Sequence, residues 1–171
     1  MPRLATRSES SLSSSTLTLL EEVRSEGVLP AVYLQYAASE RALQTYLGME
    51  AALREGSLSS REIEAIKILV SAALGCEFCS TVHAAKGRRA GLTTAVQDAI
   101  RAGNASDDQR LDALLAIVRE LLRQPGILPD ELLADARGEG VTDQNLLDLT
   151  LAMATIFFTN ITNHVNDTRL P

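Results

Sequence analysis

The chain has 171 residues, 46% hydrophobic and 22% charged, a balance that fits one folded domain with a sizeable core and excludes a disordered chain. A formal charge of -6 and a pI near 4.9 leave no basic surplus for a nucleic-acid backbone or an anionic membrane, so neither is expected as a partner. Two cysteines in a chain of this size do not make a structural disulfide framework, which turns attention to their chemistry.

Residues 1–15 read as a flexible Ser-rich leader without the apolar run of a signal peptide, followed by a folded domain over 16–171 and an expected cytoplasmic location. Apolar residues recur at spacings of three and four, and alternating β-branched runs are missing, which predicts an all-α, single-domain helical bundle. A first helix is expected from Thr16 to Ser25, ending at Gly27. A long second one runs from Ala31 to Leu53, with Leu34, Ala38, Ala42 and Leu43 facing inward.

The third helix opens on Ser59-Ser60-Arg61-Glu62, a capping-box spacing, and continues through Ile63, Ile66, Leu69 and Val70 to Gly75. Gly75 suits a helix stop, so Cys76 begins a new helix that reaches about Ala90 and closes at Gly91. A short helix follows from Thr94 to Gly103, then a stronger one from Ser106-Asp107-Asp108-Gln109 to Pro125, and another short one from Pro129 to Ala136. Thr142 introduces the last long helix, to about Val165. Its apolar stretch, Leu149 to Phe158, is interrupted by Thr150 and Thr155 and falls short of a membrane span. Phe78, Phe157, Phe158, Tyr33, Tyr36 and Tyr46 read as core or subunit contacts.

The residues that carry chemistry lie between Glu64 and His83. Two cysteines three apart at a helix start can close a disulfide over a tight turn, and the unpaired amides there favour thiolate over thiol. Cys79 and His83 are four apart and share a helix face, so the imidazole can take the thiol proton directly or through a water. Cys79 is then the nucleophile, and Cys76, placed nearer the exposed edge of the turn, the resolving thiol. Glu64 sits among Ile63, Ile66 and Ile68, where a carboxylate needs a partner, and His83 is the obvious one. A zinc site would need more than Cys76, Cys79 and His83, and only carboxylates and the distant His164 remain to supply it. His164 reads as a helix-end residue, with an active-site role kept as an alternative.

The spacing Glu-x11-Cys-x2-Cys-x3-His, in an all-helical chain of this length, resembles the alkylhydroperoxidase D-like branch of the carboxymuconolactone decarboxylase superfamily. The resemblance covers about twenty residues tightly. It implies a peroxide-attacking role for Cys79, a resolving role for Cys76 and a proton relay through His83 and Glu64. It also implies a helical fold that assembles into dimers, trimers or hexamers, without a bound organic cofactor or metal. Phe78 departs from the pattern, because the best-studied members carry a His immediately before the second Cys. The function so implied is a thiol-dependent peroxidase that takes a hydroperoxide or a disulfide as substrate and is reset by an external dithiol or a redox partner protein. The alternatives are a disulfide reductase or redox adaptor with little peroxidase turnover, and a non-catalytic helical assembly or redox sensor.

Overall fold

A computed structural model describes residues 3–24 and 27–170. Among them the chain forms nine α-helices, one short 3-10 turn at Glu9–Ser11 and no strand, so the fold is all-α. The helices are α1 (Ser14–Glu21), α2 (Ala31–Tyr36), α3 (Glu40–Glu55), α4 (Ser60–Ala73), α5 (Glu77–Arg89), α6 (Thr94–Ala102), α7 (Gln109–Arg123), α8 (Asp130–Gly138) and α9 (Asp143–Asn166). The expected end of the first helix at Ser25 lies outside the described residues; α1 itself stops at Glu21.

Capping side chains set most helix starts. Ser59 and Glu62 close a full capping box at α4, the Ser59 amide donating to Glu62 Oε2 at 2.7 Å, and Thr142 with Asn145 does the same at α9. Asp108 caps α7 by accepting from the Leu111 amide at 3.0 Å. Ser59→Ala is expected to cost about 1 kcal/mol, read as a lowered urea midpoint at unchanged slope.

The long second helix expected from Ala31 to Leu53 is two helices with a break at Ala37–Ser39. The Ser39 side chain accepts from the Ala42 amide and starts α3 afresh. The turn folds Tyr33, Tyr36 and Tyr46 together, and Tyr36 and Tyr46 close on Phe158 of α9 at centroid distances of 5.7 and 5.5 Å. Such aromatic contacts add to simple burial. The break also shifts the helical phase, so Tyr36, Ala37, Tyr46 and Leu47 point inward and Ala38 is exposed.

Helix α4 is the centre of the bundle, packed against α5, α6, α7 and α9. Its Ala65, Ile66, Ile68 and Val70 are fully buried, together with Leu111, Leu114 and Leu115 of α7 and Ala152 of α9. A second cluster joins α1, α2 and α3 around Leu20, Leu43 and the tyrosines. Helix α9 meets the length and composition required to cross a membrane, unlike the shorter apolar stretch expected from sequence. In the fold, its Leu149, Ala152 and Ile156 are buried as parts of a core helix.

The serine-rich leader is strapped down over its described part. The Arg3 amide donates to the Asn166 carbonyl at 3.1 Å, the Leu4 amide to Asn166 Oδ1 at 2.8 Å and the Arg7 amide to the Leu34 carbonyl at 3.0 Å. Asn166 supplies two of these acceptors and also donates to Gln35 Oε1 at 2.9 Å, so one side chain ties the N-terminal segment and α2 to the end of α9.

Candidate functional site

Gly75 adopts φ +65°, the left-handed region that favours glycine, and so lets the chain leave α4 and begin α5 within one residue. The Cys76 amide returns to the Ser71 carbonyl at 3.0 Å, and Cys76 becomes the N-cap of α5. Its sulfur accepts from the Cys79 amide at 3.4 Å, in the place a Ser or Asp side chain usually fills.

Both cysteines are free thiols, and both are buried, at 4% and 3% exposure. The expected exposed edge for Cys76 is therefore absent: its sulfur turns in over the first turn of α5, where it accepts the Cys79 amide. The helix-start electrostatics fall on Cys76. Its thiol is lowered to about 6, first because the Cys79 thiol donates to it, then because it accepts the Cys79 amide and lies near His164. Cys79 is pushed up by the charge it donates to and by burial. Within the pair the thiolate is therefore favoured on Cys76 over Cys79.

His83 lies one turn beyond Cys79 on α5 and is buried. Its Nδ1 is 2.7 Å from Glu64 Oε2 on α4. Burial holds the imidazole below its usual value, against the opposing pull of Glu64, so the neutral ring is favoured. A neutral ring that donates from Nδ1 to Glu64 keeps Nε2 as an acceptor. Gly87 lets these two helices approach, since a Cβ there would stand 3.0 Å from Ile68 Cδ1 and 3.2 Å from Leu92 Cδ1.

Three side chains that matter here were not singled out from sequence. Asn163 of α9 donates from Nδ2 to the Cys79 sulfur at 3.2 Å, and its Oδ1 is buried without a partner. Lys67 of α4 is buried at 1% exposure and donates to both carboxylate oxygens of Glu50, at 2.7 and 2.9 Å. Lys67 could have been noticed as the lone charge inside the apolar run from Ala65 to Val70; Asn163 and Glu50 carry no comparable signal.

Three cavities surround the constellation. One of about 250 Å3 is walled by Tyr33, Tyr36, Tyr46, Phe78 and Val82, with Cys79 and His83 in its lining. A second, of about 550 Å3, is polar and borders Cys76 beside His164, Thr168 and Arg169. The third, about 250 Å3, is lined by Glu50, Glu64, Lys67 and Lys86, so Glu64 faces a polar space. Among the described residues no group of three His, Cys, Asp or Glu side chains is placed to hold a metal ion.

Residues 37–120 match the carboxymuconolactone decarboxylase family. No curated protein matches the chain. Among solved structures, an uncharacterized peroxidase-related protein from Ralstonia eutropha JMP134 with an alkylhydroperoxidase AhpD core superposes with a TM-score of 0.87 at 22% identity, over 99% of this chain and 92% of that one. An uncharacterized peroxidase-related protein from Silicibacter sp. TM1040 gives 0.81 at 21% identity, over 98% and 93%. The debrominase Bmp8, solved as a cysteine-to-alanine variant in complex with 2,3,4-tribromopyrrole, gives 0.80 at 17% identity, over 100% and 93%.

Proposed function

This chain belongs to the carboxymuconolactone decarboxylase superfamily, with the alkylhydroperoxidase D-like fold, and on that premise we propose that it is a thiol-dependent peroxidase working through Cys76 and Cys79. The observation that carries this reading is the division of labour inside the pair. Cys76, at the N-cap of α5 where its sulfur accepts the Cys79 amide, lies against a sulfur that shares a cavity with a buried, carboxylate-anchored histidine.

In the proposed cycle His83 Nε2 takes the Cys79 proton, and Cys79 attacks the terminal oxygen of a hydroperoxide. The S–O bond forms as the O–O bond breaks, and the alcohol leaves with the proton from His83. Asn163 Nδ2 steadies the charge on the Cys79 sulfur during this step. Cys76 is already a thiolate when the sulfenic acid appears. It attacks the Cys79 sulfur, the S–S bond forms, the S–O bond breaks, and hydroxide leaves to become water. One hydroperoxide and two thiols thus give an alcohol, water and a disulfide. Phe78 then has a use, as a wall of the apolar cavity where relatives place a relay group.

The test is consumption of an organic hydroperoxide in the presence of dithiothreitol. Glu64→Gln is expected to lower kcat/KM by about 100-fold, because it weakens the anchor that leaves His83 Nε2 free to accept. The sign of the pH effect follows from the shifts. His83 protonates below its ordinary value of 6.5, so kcat/KM is flat near neutrality and falls as acid protonates the ring. Glu64 pulls the ring upward, so in Glu64→Gln the acid limb moves to still lower pH while the plateau drops. An acid limb that stays in place removes His83 from the proton path. A protein that cycles with dithiols but leaves hydroperoxides untouched is a disulfide reductase.

A second reading is supported by the aromatic walls of the Cys79 cavity and by the debrominase that shares the fold. The same dithiol would reduce a small halogenated aromatic, with the halide leaving, hydrogen taking its place and the disulfide forming. Halide release from a brominated pyrrole, absent in Cys79→Ser, is the measurement that selects it.

A further inference from the structure

The two sulfurs open into different cavities. Cys79 lines the aromatic one, Cys76 the polar one, and among the described residues Asn163 lines both. The walls differ in chemistry as well as in place. The Cys79 side is mainly tyrosine, phenylalanine and valine, with Lys86 and Thr159 also in its lining. The Cys76 side is formed by the start of α5 and the segment that follows α9, with His164 exposed at its rim and Arg169 paired to Asp167.

Asn163 is buried at 3% exposure, uses Nδ2 on the Cys79 sulfur and leaves Oδ1 without a partner. Asn163 thus stands at the boundary between the two cavities, with its amide on the Cys79 sulfur. At about 550 Å3 the polar cavity has room for a small dithiol beside Cys76.

We propose that the dithiol reductant enters through the polar cavity and attacks Cys76, with His164 taking its thiol proton, while the oxidising substrate enters through the aromatic cavity at Cys79. This rests on the dithiol cycle proposed above and adds where its second half takes place. One thiolate of the reductant forms a bond to the Cys76 sulfur as the Cys76–Cys79 bond breaks, and Cys79 leaves and is protonated. The second thiol of the reductant then attacks its own bound sulfur, releasing Cys76 and the reductant as a disulfide. Two electrons pass from the dithiol to the pair together with one proton, on Cys79, and the second proton of the dithiol goes to solvent because Cys76 leaves as thiolate. Cys76 is a good leaving group in that last step, because its thiolate is stabilised by the Cys79 amide and the start of α5.

The experiment separates this half-reaction from peroxide chemistry. The protein is oxidised with diamide to the disulfide, and its reduction by dithiothreitol is followed by the appearance of free thiols. His164→Gln, which removes the base, and His164→Trp, which crowds the entrance, are each expected to slow the bimolecular rate about tenfold. Val82→Trp, which fills the aromatic cavity, is expected to keep reduction within about twofold of wild type while slowing oxidation by hydroperoxide. His164 is exposed, so neither of its substitutions touches the core. Reduction that slows more in Val82→Trp than in His164→Trp, or that proceeds at the wild-type rate in both His164 variants, overturns the proposal. If diamide removes no thiols, the disulfide itself does not form and the dithiol cycle fails with this inference. If reduction behaves as expected but no hydroperoxide is consumed, the peroxidase reading fails and the reductant entrance stands.

Discussion

Cys79→Ser is expected to abolish hydroperoxide turnover, a loss of at least about 1000-fold, because no other thiol lines the aromatic cavity beside His83. Cys76→Ser differs in kind. It leaves a nucleophile that can be oxidised once, so without added thiol a single equivalent of hydroperoxide is consumed and the reaction stops at the sulfenic acid. The two variants also differ in their thiol titration. With Cys76 replaced, the neighbouring thiolate that pushes Cys79 up is gone, and the remaining thiol becomes more acidic than in the pair. In Cys79→Ala, where no hydroxyl takes over the thiol's place as donor, Cys76 loses that hydrogen bond and its titration moves up from about 6. Thiolate absorbance against pH reads both shifts. Equal single-turnover oxidation of the two variants would contradict the order of attack.

Glu50→Leu is expected to be among the most damaging substitutions outside the cysteine pair. Lys67 is buried, and both oxygens of Glu50 accept from its ammonium. Removing the carboxylate leaves a buried cation without its partner at a cost of about 3–5 kcal/mol. Lys67→Met is expected to be milder, since Glu50 keeps some access to water through the third cavity. The double substitution is expected to recover most of the loss, which a double-mutant cycle in urea measures. Burial alone would raise the Glu50 carboxyl, but Lys67 outweighs it and leaves the group below its ordinary value of 4.5. The pair therefore contributes its full stability above the unfolded value, and that contribution is lost as pH falls through the lower, folded one. Glu50→Leu should accordingly flatten the acid side of the stability curve. Lys67 also depresses His83, so Lys67→Met is expected to move the acid limb of activity to higher pH.

Much of this arrangement was legible in the sequence because it is local. The Ser59 capping box, the stop at Gly75 and the four-residue spacing of Cys79 and His83 are each decided within one or two turns of chain, and the structure has them where spacing placed them. Glu64 was legible for a related reason, since a carboxylate among isoleucines implies a partner, and His83 lies 2.7 Å away.

What could not be read is set by contacts between distant segments. The break at Ala37–Ser39 competes with good helix formers on both sides, and it prevails because it brings Tyr36 and Tyr46 onto Phe158 more than 100 residues later. The leader is held by Asn166 at the far end of the chain. Asn163 reaches Cys79 across a separation of 84 residues, and no spacing rule links them. The charge state of the pair was legible only in outline. Helix-start amides favour a thiolate, but which sulfur they reach depended on Cys76 taking the N-cap position.

Hydroperoxide is expected to convert the two buried thiols, Cys76 and Cys79, into one disulfide. The most direct test adds a single equivalent of an organic hydroperoxide to the fully reduced protein and reads the intact mass together with the free-thiol count. The expected result is the loss of two hydrogens and of both thiols, restored by dithiothreitol. Two thiols that persist, or a stable gain of oxygen on either sulfur without a disulfide, would contradict it.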